Sequence, residues 1–286
     1  MSKSPPFIPS GLSPKQTSHK YAGQDRNFDG LAERFKRKIY DGLKGKIRLE
    51  VLQRDLLKHV LSQKNPKPLR ILDAGGGQGQ FSLRLASLGH HVTLCDISSD
   101  MLALAAEDVA EKQLEDRVEL RHESIQSLSK HVLDDANNTL LPFDLVLCHA
   151  VLEWVIDPEQ LLQDLTTLVV PGGYFSLTFY NENSVVFKNL LRGNFSRILE
   201  KDYVGFVGSL TPTNPLKPDQ VTDWFKVLPF DVVCRSGIRC FHDYIFDAKV
   251  QKKSPAELLA IELLLSQQEP YLSLARYIHL LSQRFE

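Results

Sequence analysis

The stretch ILDAGGGQGQF, Ile71–Phe81, decides the fold because it joins a short apolar run to a loop that holds four glycines. A glycine loop between a strand and a helix lets backbone amides approach a ligand closely, since no side chains intervene. The stretch therefore predicts a buried strand, a ligand-binding loop and a helix, in that order.

The chain around this stretch alternates short apolar runs with amphipathic segments. Five runs are predicted strands: LRILDA from Leu69, HVTLCD from His91, RVELRHE from Arg117, FDLVLCH from Phe143 and GGYFSLTFY from Gly172. Near-continuous apolar strands that alternate with helices are typical of an α/β fold with a parallel sheet covered on both faces. Later in the chain, DVVCRSGIRC and LARYIHLLS indicate two more strand-like runs.

Three regions lie outside this alternation. Two helical patterns precede the first strand and form a predicted helical pair over 28–63. Residues 181–220, after the fifth strand, are a predicted insertion on the substrate side. Residues 1–23 are rich in Pro, Ser and Lys, so we expect a disordered N-terminal tail.

The composition of the 286 residues excludes several classes of protein. A net charge of −1 creates no overall field toward nucleic acid or membrane, so any polyanion must be bound by a local patch. The four cysteines show no CxxC pair and no zinc-ligand spacing, which indicates a reducing compartment without a structural metal. No apolar run approaches the roughly 20 residues that span a bilayer, so we expect a cytoplasmic protein with no membrane partner.

The glycine loop does not fit the dinucleotide pattern. Gly75, Gly77 and Gly79 give G-x-G-x-G, and Gln80 stands where the dinucleotide pattern has its last glycine. Asp73, at the end of the strand, would repel a pyrophosphate but attract a cationic amino group. The loop therefore favours a cofactor with an ammonium group over one with phosphates.

A second acidic residue supports a nucleoside-like cofactor. Asp96 ends the second strand, 23 residues after Asp73, where an acidic side chain accepts the hydroxyls of a ribose. The pair predicts a ligand with an amino-acid end and a nucleoside end. The alternative is that both aspartates only cap helices or turns.

With these features the chain resembles the class I S-adenosylmethionine-dependent methyltransferases. Within them it is similar to the bacterial tRNA 5-carboxymethoxyuridine methyltransferases, in segments from about Gln24 to Gln283. The matching segments are QDRNFD, KGKIR, LDAGGGQGQ, HAVLEWV, FYN, GNF, GIRCFHDY and QEPYLSLARYIH. The resemblance implies one Rossmann-like methyltransferase domain over 24–286, with a mostly parallel seven-stranded sheet and an antiparallel last strand. It also implies methyl esterification of the carboxylate of 5-carboxymethoxyuridine at the tRNA wobble position.

The resemblance assigns cofactor contacts to matching positions. Arg48, Gly75 and Gly76 would hold the methionine end, and Asp96 the ribose. Ile125 and Gln126 would lie by the adenine, and His149 beside the sulfonium. The predicted S-adenosylmethionine site is thus Arg48, Asp73, Gly75, Gly76, Gly77, Asp96, Ile125, Gln126 and His149. Alternatives are a solvated surface position for Arg48 or Gln126 and a structural hydrogen bond for His149.

The implied chemistry needs no general base and therefore no catalytic residue in the acid–base sense. A carboxylic acid of this type titrates at about 3 to 4, so the nucleophile is already an anion. Catalysis then depends on positioning and on removal of water. The candidate substrate-lining residues, each with a structural role as the alternative, are Tyr180, Arg192, Arg197, Arg239, His242, Tyr244 and Arg276.

A tRNA anticodon stem-loop is the implied partner. RFKRKIYDGLKGKIR, Arg34–Arg48, carries seven basic residues for phosphate contacts, although such runs are often only a solvated helix face. The chain departs from the family before Thr211, where DYVGFVGSLTP replaces a lysine-rich run. Alternative functions are another tRNA-modifying or a quinone- or lipid-type methyltransferase, and a non-catalytic tRNA-binding scaffold. A scaffold typically loses the glycine loop or the ribose acid, and this chain keeps both.

Overall fold

The computed structural model describes residues 24–40, 42–62, 67–134, 142–203, 210–212 and 214–286. The predicted N-terminal tail, 1–23, lies outside the described residues.

A seven-stranded sheet forms the centre of the molecule. Its strands are β1 (Arg70–Ala74), β2 (His91–Asp96), β3 (Val118–His122), β4 (Phe143–His149), β5 (Val169–Tyr180), β6 (Phe230–Ile238) and β7 (Tyr277–Arg284). The spatial order is β3-β2-β1-β4-β5-β7-β6, and β7 runs antiparallel to both of its neighbours while the other pairs are parallel. The predicted sheet, with its antiparallel last strand, is confirmed.

Helices cover the sheet. They are α1 (Ala32–Phe35), α2 (Leu43–His59), α3 (Ser82–Ser87), α4 (Ser99–Glu111), α5 (Ile125–Asp134), α6 (Pro158–Thr167), α7 (Glu182–Leu191), α8 (Phe195–Leu199), α9 (Pro218–Val227), α10 (Ala248–Lys253), α11 (Pro255–Leu265) and α12 (Tyr271–Leu274). A π-helical turn, Lys36–Tyr40, follows α1, and short 3₁₀ turns cover Leu152–Trp154 and His242–Tyr244. The predicted helical pair over 28–63 contains α1, the π-helical turn and α2, and the predicted insertion over 181–220 contains α7, α8 and the start of α9.

Two apolar cores lie on opposite faces of the sheet, because side chains of a strand alternate between its faces. Leu72 of β1 belongs to the core under α5, α6 and α9, and Ile71 to the core under α2, α3 and α4. Strands buried on both faces explain the near-continuous apolar runs in the sequence.

The topology brings most of the residues predicted for the cofactor and substrate sites to one edge of the sheet. The carboxyl ends of β1, β2, β4, β5 and β6 meet there, together with the amino end of the antiparallel β7. Ligands of open α/β sheets bind at this edge.

Candidate active site

The glycine loop after β1 is held tightly against β2. The N–H groups of Gly75 and Gly76 donate to the carbonyl of Cys95 at 2.9 and 3.1 Å. Gly79 has φ of +74°, and a Cβ there would lie 2.5 Å from Leu94 Cδ1. Only glycine fits that position. Its lack of a side chain lets the helix start close to β2.

Asp96 closes β2 beside this loop. Its Oδ2 accepts from the N–H of Gly77 and its Oδ1 from the N–H of Ser98, both at 2.8 Å. Burial raises the pKa of Asp96. Each carboxylate oxygen retains a second lone pair, and Asp96 lines the neighbouring cavity, so the carboxylate can still accept from a ligand.

Asp73 lies beneath the loop. Its Oδ2 accepts a hydrogen bond of 2.5 Å from Ser82 Oγ, and the residue is only 5% exposed. Burial raises the pKa of Asp73 to about 6. Neither Asp73 nor Gly76 is among the residues that line the cavity, so their predicted contacts with the amino-acid end of a cofactor stay a prediction.

A cavity of about 770 Å³, including its open mouth, lies above the loop. Gln126 Nε2 donates to Asp25 Oδ2 at 3.0 Å, and Arg48 Nη2 donates to Gln80 Oε1 at 3.0 Å. The structure places seven of the predicted cofactor residues in the lining: Arg48, Gly75, Gly77, Asp96, Ile125, Gln126 and His149.

The segment that precedes α1 contributes Asp25, Arg26 and Phe28 to the lining of the cavity, and the sequence analysis did not predict these contacts. The Arg26 guanidinium lies 4.8 Å from the centre of the Trp154 ring, and the rings of Phe28 and Trp154 lie 5.1 Å apart. Asp25 Oδ1 accepts from the N–H of Ile156 at 2.9 Å. The signal was the QDRNFD segment, which carries the resemblance but suggests no chemistry by itself.

His149, at the end of β4, provides a neutral imidazole. Burial lowers the pKa of His149 well below its ordinary value, and the nearby charge of Arg48 lowers it further. The Nε2 atom of the ring lies 2.9 Å from Ser176 Oγ.

A cationic cluster lies farther along the same edge, at β5, β7 and β6. Arg239 Nη2 lies 2.7 Å from Asp243 Oδ2, and Arg276 Nε lies 3.5 Å from the same oxygen. Lys44 and Lys188 also interact electrostatically with Asp243. We call Lys44, Lys188, Arg239, Arg276 and Asp243 the cationic cluster, in which four cations surround one carboxylate.

The charges of the cluster shift its pKa values in opposite directions. Burial raises the pKa of Asp243, but the charges of Arg239 and Arg276 and the bond with His242 outweigh it, so the pKa lies well below the ordinary range. Burial lowers the pKa of Lys188 to about 8, and the arginines nearby contribute to this shift. The cluster is an environment that favours an additional anion.

Aromatic rings flank the two arginines. Arg276 lies 4.5 Å from the centre of the Tyr180 ring, and Arg239 lies 5.4 Å from that of Tyr277. The Tyr244 hydroxyl donates to the carbonyl of Leu274. The structure thus brings together five predicted substrate-lining residues: Tyr180, Arg239, His242, Tyr244 and Arg276.

The other two candidates lie on the insertion. The Arg192 guanidinium lies 5.0 Å from the centre of the Phe246 ring, and its charge helps to lower the pKa of Lys188 in the cluster. Arg197 Nε donates to the carbonyl of Asp202 at 3.0 Å, within its own loop. Their predicted roles in substrate binding stay a prediction.

Glu262 of α11 positions the segment after β6, and sequence reasoning missed it. Its carboxylate accepts from the N–H groups of Cys240, Phe241 and His242 at 2.6, 3.0 and 2.8 Å. These bonds fix the turn that carries Asp243 and Tyr244. The sequence signal for this role is that Glu262 interrupts the otherwise apolar run LLAIELLL, 258–265, of α11.

Glu153, in the 3₁₀ turn Leu152–Trp154, is a further buried carboxyl. It is 0% exposed, and burial raises its pKa to about 8. It is therefore mostly uncharged at neutral pH and adds little repulsion toward an anionic ligand beside Tyr180.

Among the residues that the structure describes, no group of three or more His, Cys, Asp or Glu is placed to hold a metal ion. In the same part of the chain, no helix is both long and apolar enough to cross a membrane.

The fold and the cavity define the class of this protein. A glycine loop and an acidic strand end, at the carboxyl edge of a sheet with an antiparallel β7, are the features of a class I methyltransferase. A family model described as a methyltransferase domain matches residues 66–206. The tRNA 5-carboxymethoxyuridine methyltransferase of Escherichia coli O157:H7 is 38% identical over 261 residues, covering 91% of this chain and 97% of that protein. The chain belongs to the family of tRNA 5-carboxymethoxyuridine methyltransferases.

More distant proteins have lower sequence identity to this chain. The ubiquinone biosynthesis O-methyltransferase of Coxiella burnetii (strain RSA 331) is 28% identical over 173 residues, which cover 59% of this chain and 66% of that protein. The magnesium protoporphyrin IX methyltransferase of Synechocystis PCC 6803, solved with bound S-adenosylhomocysteine, superposes with a TM-score of 0.58 at 16% identity and covers 90% of this chain and 96% of that one. The latter likeness shows the shared fold.

Proposed function

We propose that this enzyme transfers a methyl group from S-adenosylmethionine to the carboxylate of 5-carboxymethoxyuridine at the wobble position of tRNA. The observation that supports this most directly is the position of the cationic cluster beside the cavity, along one edge of the sheet. The cavity fits a nucleoside with an amino-acid end, and the cluster fits an anion. A tRNA substrate also argues for a cytoplasmic enzyme.

The residues of the cavity match the parts of S-adenosylmethionine. Asp96 accepts the ribose hydroxyls, and Ile125 and Val151 supply apolar surface for the adenine. Arg48 pairs with the carboxylate of the methionine portion. The cofactor, when bound, supplies an electrophilic methyl group on its sulfonium, and the segment around Arg26 shields it from water.

Arg276 is the cation that we assign to the substrate carboxylate. Arg239 Nη2 donates to Asp243 at 2.7 Å, whereas Arg276 Nε lies 3.5 Å from the same carboxylate and makes no hydrogen bond of that length to it. The two terminal nitrogens of Arg276 make no hydrogen bond to any residue within the described ranges. They can therefore form the paired hydrogen bonds by which arginine orients a carboxylate.

Positioning accounts for the reaction without proton transfer. The substrate carboxylate is ionised at neutral pH and attacks as it is. The cluster holds one carboxylate oxygen, the other faces the methyl group, and uncharged Glu153 does not oppose the anion. Exposed side chains of the π-helical turn and of the first turn of α2, such as Arg37 and Lys46, are available to the phosphates of the anticodon stem.

The test uses the purified full chain with methyl-labelled S-adenosylmethionine and tRNA that carries 5-carboxymethoxyuridine. Label is expected in the wobble nucleoside as a methyl ester that mild alkali removes. Matched tRNA with an unmodified wobble uridine should stay unlabelled. If the carboxylated tRNA stays unlabelled while a quinone or lipid acceptor becomes labelled, the proposal is wrong.

Lys188 makes tRNA binding depend on pH. Its pKa of about 8 means that it loses its charge as the pH rises from 7 to 9, because a lysine is charged only below its pKa. Affinity for the carboxylated tRNA should therefore fall over this range, by up to about tenfold if the charged form alone binds. Binding titrations at several pH values measure this fall.

The matched variant is Lys188→Arg, which keeps its charge throughout this range and should bind with a flatter pH profile. The tRNA without the carboxyl group corrects for pH effects on phosphate contacts. Equal slopes in wild type and Lys188→Arg would contradict the role of Lys188.

A further inference from the structure

Three buried side chains and the half-buried His149 form one hydrogen-bonded chain from α2 to the cofactor cavity. Asp55 Oδ2 lies 2.8 Å from His279 Nδ1, and His279 Nε2 lies 2.9 Å from Ser176 Oγ. Ser176 Oγ in turn lies 2.9 Å from Nε2 of His149, which lines the cavity. We call Asp55, His279, Ser176 and His149 the histidine relay.

The register of the sheet creates this arrangement. His149 of β4 and His279 of β7 are both paired with Thr178 of β5, and Ser176 lies two residues before Thr178 on the same face. Helix α2 packs on this face and contributes Asp55. The relay therefore crosses three neighbouring strands inside the protein.

The relay ends at an ionised carboxylate. Burial raises the pKa of Asp55, but the hydrogen bond from His279 and the charge of Arg54 outweigh it and leave the pKa below its ordinary value. Arg54 donates to Asp55 Oδ1 from Nε and Nη2 at 2.9 and 2.7 Å. Because an ionised carboxylate only accepts, His279 must carry a proton on Nδ1.

The proton on His279 Nδ1 determines which atoms donate and which accept in the other two hydrogen bonds. A neutral His279 has no second proton, so its Nε2 accepts from the Ser176 hydroxyl. That hydroxyl has one proton, so its oxygen accepts from Nε2–H of His149. A doubly protonated His279 would donate from Nε2 to Ser176 and so leave the hydroxyl proton able to donate to His149. It would, however, place a second cation, 0% exposed, beside a carboxylate that Arg54 already neutralises.

We propose that Asp55, His279 and Ser176 are positioning residues that fix His149 in the tautomer with its proton on Nε2, so that Nδ1 offers a lone pair to the positively charged end of the bound cofactor. His149 Nδ1 makes no hydrogen bond to any residue in the described part of the chain. A lone pair attracts an ammonium or sulfonium group, whereas an N–H dipole repels it. The identity of that ligand rests on the proposed function.

The test combines nitrogen NMR of histidine-labelled protein with calorimetric binding of S-adenosylmethionine. The variants Asp55→Asn and Ser176→Ala break the relay at its end and at its centre. The matched control is Ser282→Ala on β7, because Ser282 is equally buried and its Oγ has no partner among the described residues. Loss of one signal in His149→Gln identifies the resonances of His149 among the nine histidines.

We expect the Nε2–H tautomer of His149 in the wild type and in Ser282→Ala. In Ser176→Ala and Asp55→Asn the Nδ1–H form should appear, and the affinity for S-adenosylmethionine should fall about tenfold, the loss expected for one hydrogen bond to a charged group. If Asp55→Asn does not fold, Ser176→Ala decides the question.

Three results would overturn the inference: an Nδ1–H tautomer in the wild type, unchanged tautomer and affinity in Ser176→Ala, or an equal loss in Ser176→Ala and Ser282→Ala. A wild type that shows the Nε2–H tautomer but does not bind S-adenosylmethionine would contradict the proposed function and leave the tautomer assignment standing.

Discussion

Replacing Arg276 with methionine should lower kcat/KM for tRNA that carries 5-carboxymethoxyuridine by about 30- to 5,000-fold, the range expected when one member of a desolvated charge pair is removed. Methionine keeps much of the apolar stem that lies against Tyr180 but removes the paired donors. Steady-state kinetics on the modified tRNA measure the loss, and calorimetry with S-adenosylmethionine should show an unchanged Kd because Arg276 does not line the cofactor cavity.

Two further variants separate charge from geometry in this prediction. Arg276→Lys retains the charge without the planar pair of donors, so its kcat/KM should lie between those of the wild type and Arg276→Met. Arg117→Met removes a half-buried arginine that precedes β3, on the opposite edge of the sheet, where its guanidinium donates to the carbonyl of Gly89. Because Arg117 lines neither the cavity nor the cationic cluster, this change should alter kcat/KM less than about threefold. Activity of Arg276→Met within threefold of the wild type would show that another cation binds the carboxylate.

The cofactor side of the site could be predicted from sequence because its parts are local. The glycine loop and Asp96 each lie at the end of a predicted strand, and neighbouring parallel strands bring such ends to one edge of the sheet. Asp25 and Arg26 could not be placed in this way. They reach the cavity through contacts with Trp154 and Ile156, more than a hundred residues later in the chain.

The substrate side of the site was harder to predict from the sequence because it depends on the order of the strands in the sheet. Arg239 follows β6 and Arg276 precedes β7, and they meet at Asp243 only because these strands are antiparallel neighbours. The same placement of β7 beside β5 creates the histidine relay. No periodicity in the sequence indicates that β7 lies between β5 and β6, so Asp243 and Glu262 were missed although the arginines were named.

Replacing Asp96 with alanine should weaken binding of S-adenosylmethionine by about 10- to 100-fold, the cost of losing hydrogen bonds to a charged acceptor. Part of this loss will come from the loop, because Asp96 also accepts from the N–H groups of Gly77 and Ser98. A simple Kd therefore does not isolate the contact with the ribose.

Combining the substitution Asp96→Ala with removal of the 2′-hydroxyl of the ligand isolates the contact between Asp96 and the ribose. The Kd of the wild type and of Asp96→Ala is measured by calorimetry for S-adenosylhomocysteine and for its 2′-deoxy analogue. If Asp96 accepts from the ribose, the wild type should bind the deoxy analogue more weakly, whereas Asp96→Ala should bind both ligands nearly equally. If instead Asp96→Ala loses as much affinity as the wild type when the hydroxyl is removed, Asp96 supports only the glycine loop and the ribose is held by another group.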